Sequence, residues 1–126
     1  MITAVVLAPS ILVVDPRAAA RLHTAGLIRN RWPDARVNEA DSGESALAEA
    51  ADTDADLVIV DLPGQAGLDH ARRLRQARPA CQVALVAEPG TAASRALADR
   101  AGVRLFRAPV DGQVIEQMLS LVGWSD

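Results

Sequence analysis

Apolar residues recur along the chain in two alternating patterns. Short uninterrupted runs, of which Leu57–Val60 is the clearest, are typical of strands buried on both faces of a sheet. The runs predict five strands, at residues 11–15, 35–40, 57–60, 82–87 and 103–106. Between the runs, apolar residues at helical spacing predict helices over about 16–31, 67–78, 90–100 and 111–122, and one more that follows a capping signal at 41–44. This alternation predicts an α/β fold with a parallel sheet and helices on both faces.

Acidic residues end or follow three of the predicted strands. Asp15 is the last residue of the first strand, Asp61 comes directly after the third and Glu88 directly after the fourth. In open parallel sheets the carboxyl ends of the strands form the edge at which binding crevices open. The sequence therefore predicts a functional site around Asp61, with Asp15 and Glu88 as candidate members of one acidic pocket.

Length and composition indicate one domain. A chain of 126 residues, half of them apolar, is sufficient for a single core. We expect residues 11–126 to form that domain and residues 1–10 to be an N-terminal extension, either an added edge strand or a disordered tail. The closing residues 123–126 are compatible with a natural end or with a linker to another domain.

Charge and cysteine content exclude several classes of function. The net charge is −3 and the basic residues are scattered, which argues against a nucleic-acid or membrane surface. Cys81 is the single cysteine, so there is no intrachain disulfide framework; this fits a reducing cytoplasm and leaves a disulfide between two copies open. All 13 basic residues are arginines, and the chain contains no lysine.

Signatures of catalysis are missing. The chain has no glycine-rich phosphate loop, no Ser-His-Asp or Cys-His arrangement that can be placed, and no clustered metal ligands. An enzyme is therefore not expected, although the predicted fold hosts many chemistries and does not exclude one.

Four motifs, in their order and spacing, resemble the receiver domain of bacterial response regulators, the CheY-like family. They lie at residues 11–15, 40–47, 56–61 and 108–110. The resemblance extends from residue 11 to 122. It implies a flavodoxin-like (βα)5 fold with strand order 2-1-3-4-5. It also implies that Asp61 stands at the position that accepts a phosphoryl group from a histidine kinase.

Several parts of that family's phosphotransfer site are replaced here. The acidic pair that helps to hold Mg²⁺ reads Asp15-Pro16, so Asp15 and Asp61 are left as weak candidate ligands and no cofactor is assigned firmly. The hydroxyl at the end of the fourth strand is matched by Ala87, or by Val86 if the register shifts by one residue, and the lysine of the last loop is matched by Ala108. None of these side chains can donate a hydrogen bond. The loop after Asp61 is about two residues shorter than the family pattern.

The sequence thus predicts a receiver-like module of two-component or phosphorelay signalling, in the cytoplasm, with a degenerate phosphorylation site and a phosphorylation-independent role in protein interaction. Its partner, a second copy or another protein, is expected on the fourth helix, fifth strand and last helix. That last helix carries more apolar residues than one stripe needs, although burial against the sheet also explains them. The alternative is an unusual but working receiver that a histidine kinase phosphorylates on Asp61 with Mg²⁺. A third and less favoured alternative is a small flavodoxin-like enzyme.

Overall fold

The structure is a computed structural model that describes residues 8–87 and 92–123. Within them the strands are β1 (Ser10–Val14), β2 (Arg36–Ala40), β3 (Leu57–Val60), β4 (Gln82–Ala87) and β5 (Arg104–Arg107). The helices are α1 (Ala18–Arg31), α2 (Gly43–Asp52), α3 (Gly64–Ala77), α4 (Ala92–Ala101) and α5 (Gly112–Ser120).

The strands form one parallel sheet in the order β2-β1-β3-β4-β5. This confirms the predicted flavodoxin-like arrangement, including the edge position of β2. Alternate residues of β3 point to opposite faces, so that Val58 joins a core with α2, α3 and α4 while Ile59 joins a core with α1 and α5. Both cores exclude water from β3, and the chain leaves this central strand at Asp61.

Two of the helix starts that differ from the prediction border the carboxyl edge of the sheet. Pro16 is not the first residue of α1, because the backbone N–H of Arg17 donates to the Asp15 carboxylate and the helix begins at Ala18. The α3 helix begins at Gly64, three residues earlier than predicted, and Gly64 takes a left-handed conformation with a φ of +66° that suits glycine. The loop between β3 and α3 is therefore only residues 61–63.

The first strand begins at Ser10, a residue that the sequence placed in the N-terminal extension. Its backbone N–H donates to the Asp56 carboxylate at 2.8 Å, and its side-chain hydroxyl donates to the carbonyl of Thr53 at 3.0 Å. These two bonds attach the beginning of β1 to the loop that precedes β3.

The apolar residues of α5 are used inside the domain. Ile115, Met118 and Leu119 are fully buried, and Val114 and Leu121 pack at the margin of the same core. Burial against the sheet, the simpler of the two interpretations, therefore accounts for the apolar content of this helix.

Cys81 is buried directly before β4. Burial, partly offset by the nearby charge of Arg78, raises the pKa of its thiol from 9.0 to about 11. The thiolate is the form that reacts, so a disulfide between two folded copies is disfavoured.

In the described part of the chain, no helix combines the length and the apolar character that crossing a membrane requires.

Candidate functional site

The site lies where β1 and β3 end side by side. The backbone N–H of Asp15 donates to the carbonyl of Ala40, and that of Asp61 donates to the carbonyl of Val14 at 2.8 Å. These bonds continue the sheet by one residue and place both acids at its carboxyl edge. The Asp15 side chain is only 1% exposed, whereas that of Asp61 is 27% exposed.

Arg17 connects the two acids. Its Nε donates to Asp15 Oδ1 and its Nη2 donates to Asp15 Oδ2, both at 3.1 Å. This bidentate arrangement is the strong form of an arginine–carboxylate contact. The same Nη2 lies 3.0 Å from Asp61 Oδ2. One guanidinium therefore bridges a buried and a half-buried carboxylate that come from different loops.

A second arginine fixes the backbone beneath this bridge. Arg21 donates from Nη1 to the carbonyl of Asp15 at 2.9 Å and from Nε to Glu39 Oε1 at 3.1 Å. Arg29 approaches the other carboxylate oxygen of Glu39 at 3.5 Å. The position of Asp15 is thus held by its own carboxylate and by its carbonyl, which limits how far the loop can rearrange.

A cavity of about 510 Å³ opens beside Asp61. Its walls come from the loops after β1, β3 and β5, from the end of β4 and from the first turns of α3, and they are mostly apolar. The lining residues are Pro16, Arg17, Asp61, Leu62, Pro63, Gly64, Gln65, Leu68, Leu85, Val86, Ala87 and Ala108.

The structure thus brings Pro16, Ala87 and Ala108 around one crevice with Asp61. A second cavity, of about 540 Å³, shares Arg17, Asp61 and Ala108 and continues toward α1. Glu88, the third candidate for an acidic pocket, lies outside the described residues.

Sequence reasoning missed Arg17. The sequence does contain a signal for it, because the acid Asp15 at the end of a buried strand is followed two residues later by the base Arg17. It was not recognised because the helix was expected to begin at Pro16, and a helix starting there would not fold Arg17 back onto Asp15. The actual turn does so, and it brings the guanidinium within reach of Asp61.

Comparison with known proteins decides the family. The family model of the response regulator receiver domain matches residues 11–117. This chain belongs to the response regulator receiver domain family. Receiver domains are modules of two-component signal transduction, interact with kinases and partner domains, and are not typical enzymes.

Two curated relatives show the likeness in sequence. The receiver domain is 40% identical over 80 residues to the transcriptional activator protein ExaE of Pseudomonas putida, covering 62% of this chain and 37% of that protein. It is 37% identical over 68 residues to the sensory transduction protein LytT of Bacillus subtilis, covering 52% of this chain and 28% of that protein. The aligned part is thus a minor share of each relative's length.

Solved structures show the same fold. The receiver domain is similar to the chemotaxis protein CheY4 of Vibrio cholerae, with a TM-score of 0.79 at 18% identity over 91% of this chain and 98% of that one. It is also similar to a LuxR-family two-component response regulator from Aurantimonas, with a TM-score of 0.80 at 25% identity over 92% of this chain and 86% of that one.

Proposed function

We propose that this receiver domain acts in two-component signalling as a protein-interaction module that does not depend on phosphorylation. The observation that carries the proposal is the Arg17 bridge between Asp15 and Asp61. It gives each carboxylate a cationic partner from the chain itself. In an ordinary receiver these two positions serve a metal and a phosphoryl group instead.

The residues at this corner do not fit Mg²⁺ as they stand. Magnesium requires oxygen ligands in near-octahedral geometry at about 2.0–2.1 Å. Both oxygens of Asp15 accept N–H groups of Arg17, and Pro16 has no side-chain oxygen to offer. Among the residues that the structure describes, no group of three or more His, Cys, Asp or Glu side chains could hold a metal ion.

Phosphoryl transfer to Asp61 would also lack support from the other side of the crevice. The transferred group carries negative charge on its oxygens, and fixed donors or cations that face those oxygens supply most of the catalysis. Ala87 and Ala108 line the cavity at the matching places and carry neither. An Asp61 oxygen, the atom that would attack phosphorus, is already 3.0 Å from Arg17.

The proposed docking surface consists of α4, β5 and α5. Its largest exposed apolar side chain is Leu97, at 45% exposure. Helix α4 and strand β5 together carry one acid, Asp99, and four exposed arginines, which are Arg95, Arg100, Arg104 and Arg107. Charge of one sign steers binding toward the opposite sign, so the surface favours an acidic face on a protein partner, such as a kinase or an output domain.

Phosphorylation can be tested directly by mass spectrometry. After incubation with acetyl phosphate and Mg²⁺, the intact chain is expected to show no phosphoryl adduct, because Asp61 lacks the metal and the donors that the transfer needs. The Asp61→Asn variant is the matched control and should give the same spectrum. A stoichiometric adduct that the control lacks would contradict the proposal and support the alternative of a working receiver phosphorylated on Asp61.

Self-association gives a second prediction. Like charges on α4 and β5 would face each other if two copies met symmetrically through this surface. We therefore expect a monomer in sedimentation experiments at micromolar concentration. A dimer that Leu97→Asp abolishes, and that Leu22→Asp on α1 leaves intact, would contradict this and assign the surface to a homodimer.

A further inference from the structure

We propose that Arg17 is the resident cation of this receiver domain: its guanidinium replaces a divalent metal at the Asp15 and Asp61 carboxylates and keeps such metals out. This inference rests on the proposed function and extends it, because it names the group that prevents Mg²⁺ from binding at the site. One of the two negative charges is thereby balanced without any ligand from solution.

The first support is burial. Asp15 is 1% exposed, and a buried carboxylate needs a counter-charge and hydrogen bonds to offset the loss of water. Arg17 supplies both, with its backbone N–H at 2.8 Å and two guanidinium N–H groups at 3.1 Å. A metal that bound Asp15 through Oδ1, which accepts two of these donors, would have to displace one of them, and a metal at Oδ2 would lie beside the positive charge of the guanidinium.

The second support is the type of side chain. Arginine remains protonated at any pH at which the protein is folded, and its planar fork can donate in parallel to one carboxylate while one nitrogen faces another. Arg17 uses this geometry, since its Nη2 serves Asp15 Oδ2 and also lies 3.0 Å from Asp61 Oδ2. A lysine ammonium at the same position would have no such fork.

The third support is proximity along the chain. A cation two residues from its carboxylate acts at an effective concentration in the millimolar range, as short tethers do generally. Free Mg²⁺ must therefore compete with a partner that dilution cannot remove. The Arg17 side chain is 63% exposed, so its removal opens space at the sheet edge without leaving a hole in the core.

The bridge also joins two loops. Arg17 and Asp15 belong to the loop after β1, and Asp61 belongs to the loop after β3. The contact therefore fixes the relative position of these loops in the absence of any ligand. A divalent ion bound between the same carboxylates would join the same loops, and the substitution of one cation for the other is thus geometrically reasonable.

The test is the response of thermal stability to Mg²⁺ in wild type and in Arg17→Ala. At about 10 mM Mg²⁺, with NaCl adjusted to equal ionic strength, the wild-type Tm should not change, because Arg17 already contacts both carboxylates. The Tm of Arg17→Ala should rise by about 3–6 °C, the shift expected at this concentration for a site whose Kd for Mg²⁺ is about 1 mM. Adding Asp61→Asn to Arg17→Ala should abolish this rise. Arg73→Ala, which removes one exposed arginine of α3, is the matched charge control and should behave as wild type.

Two outcomes overturn the inference. A Mg²⁺-dependent rise in wild type equal to that of the variant would show that Arg17 does not keep the metal out. A folded Arg17→Ala whose Tm does not change with Mg²⁺ would show that Arg17 does not take the place of a metal. If Arg17→Ala fails to fold, Arg17→Gln, which keeps an N–H donor and loses the charge, replaces it with the same expectations. All of these measurements omit the phosphodonor, so their failure is distinct from an adduct on wild-type Asp61.

Discussion

Gly43→Ala is expected to lower the free energy of unfolding by about 2 kcal/mol, the middle of the range for overpacking a filled site. Gly43 is buried at the first turn of α2, and a Cβ placed on it would overlap the ring of His70 on α3. The contact is with ring atoms near the base of the side chain, so His70 can yield only by changing rotamer or by moving α3. Chemical denaturation monitored by circular dichroism would measure the loss.

Two controls isolate the steric cause. Gly26 lies inside α1 with open space around its missing Cβ, so Gly26→Ala should stabilise the domain by about 0.5–1 kcal/mol through helix propensity alone. Combining Gly43→Ala with His70→Ala should recover most of the loss, because the overlapping ring is gone. Equal effects of Gly43→Ala and Gly26→Ala would contradict the contact between α2 and α3.

The sequence predicted the fold well because the fold depends on local pattern. The buried runs have no polar interruption and the helices have regular spacing, and these two signals are enough to place five strand–helix units in order. The bounds of β4 were predicted without error, and Ser42 caps α2 by accepting the backbone N–H of Ser45, as the capping signal indicated. Strand order followed from the family resemblance and is confirmed by the observed pairing.

The candidate site was predictable only in part, because its contacts cross between loops that are distant in sequence. Asp61 and its three apolar neighbours, Pro16, Ala87 and Ala108, could be named from strand ends and motif positions. The bridge from Arg17 could not, since it depends on the turn that replaces the first residues of the expected helix. The packing of His70 against Gly43 was missed for a related reason. The contact is between α3 and α2, and the apolar pattern of one helix does not show where the other helix lies against it.

All basic residues of this chain are arginines, and at this site the choice of arginine over lysine affects the geometry. A lysine ammonium is a compact charge on a flexible stem, whereas a planar guanidinium donates its hydrogen bonds in fixed directions. Arg17 uses two side-chain nitrogens on Asp15 and Asp61, and Arg21 uses two on the Asp15 carbonyl and Glu39. Arg17 on the loop and Arg21 on the helix therefore hold the Asp15 backbone and three carboxylates in fixed directions at this corner.

Rebuilding the family's site should convert this receiver domain into an acceptor of phosphoryl groups. The variant combines Pro16→Asp, Arg17→Ala, Ala87→Thr and Ala108→Lys, and thereby supplies a second acid, a free metal position, a hydroxyl and a cation around Asp61. All of these positions line or adjoin one crevice, so the new groups converge on the nucleophile. One well-placed donor contributes about 10²–10³-fold in rate in other enzymes. The rate of adduct formation with acetyl phosphate and Mg²⁺ should therefore increase by at least about 10²-fold over wild type.

Two further variants assign that gain to the intended chemistry. Adding Asp61→Asn to the four substitutions should abolish the adduct, which would place it on this carboxylate. Restoring Arg17 while the other three substitutions are kept should remove most of the gain, because the guanidinium again occupies Asp15 and Asp61 and the metal is excluded. Equal rates with and without Arg17 would instead mean that the hydroxyl and the lysine limit the reaction, and that the cation at Asp15 is of secondary importance.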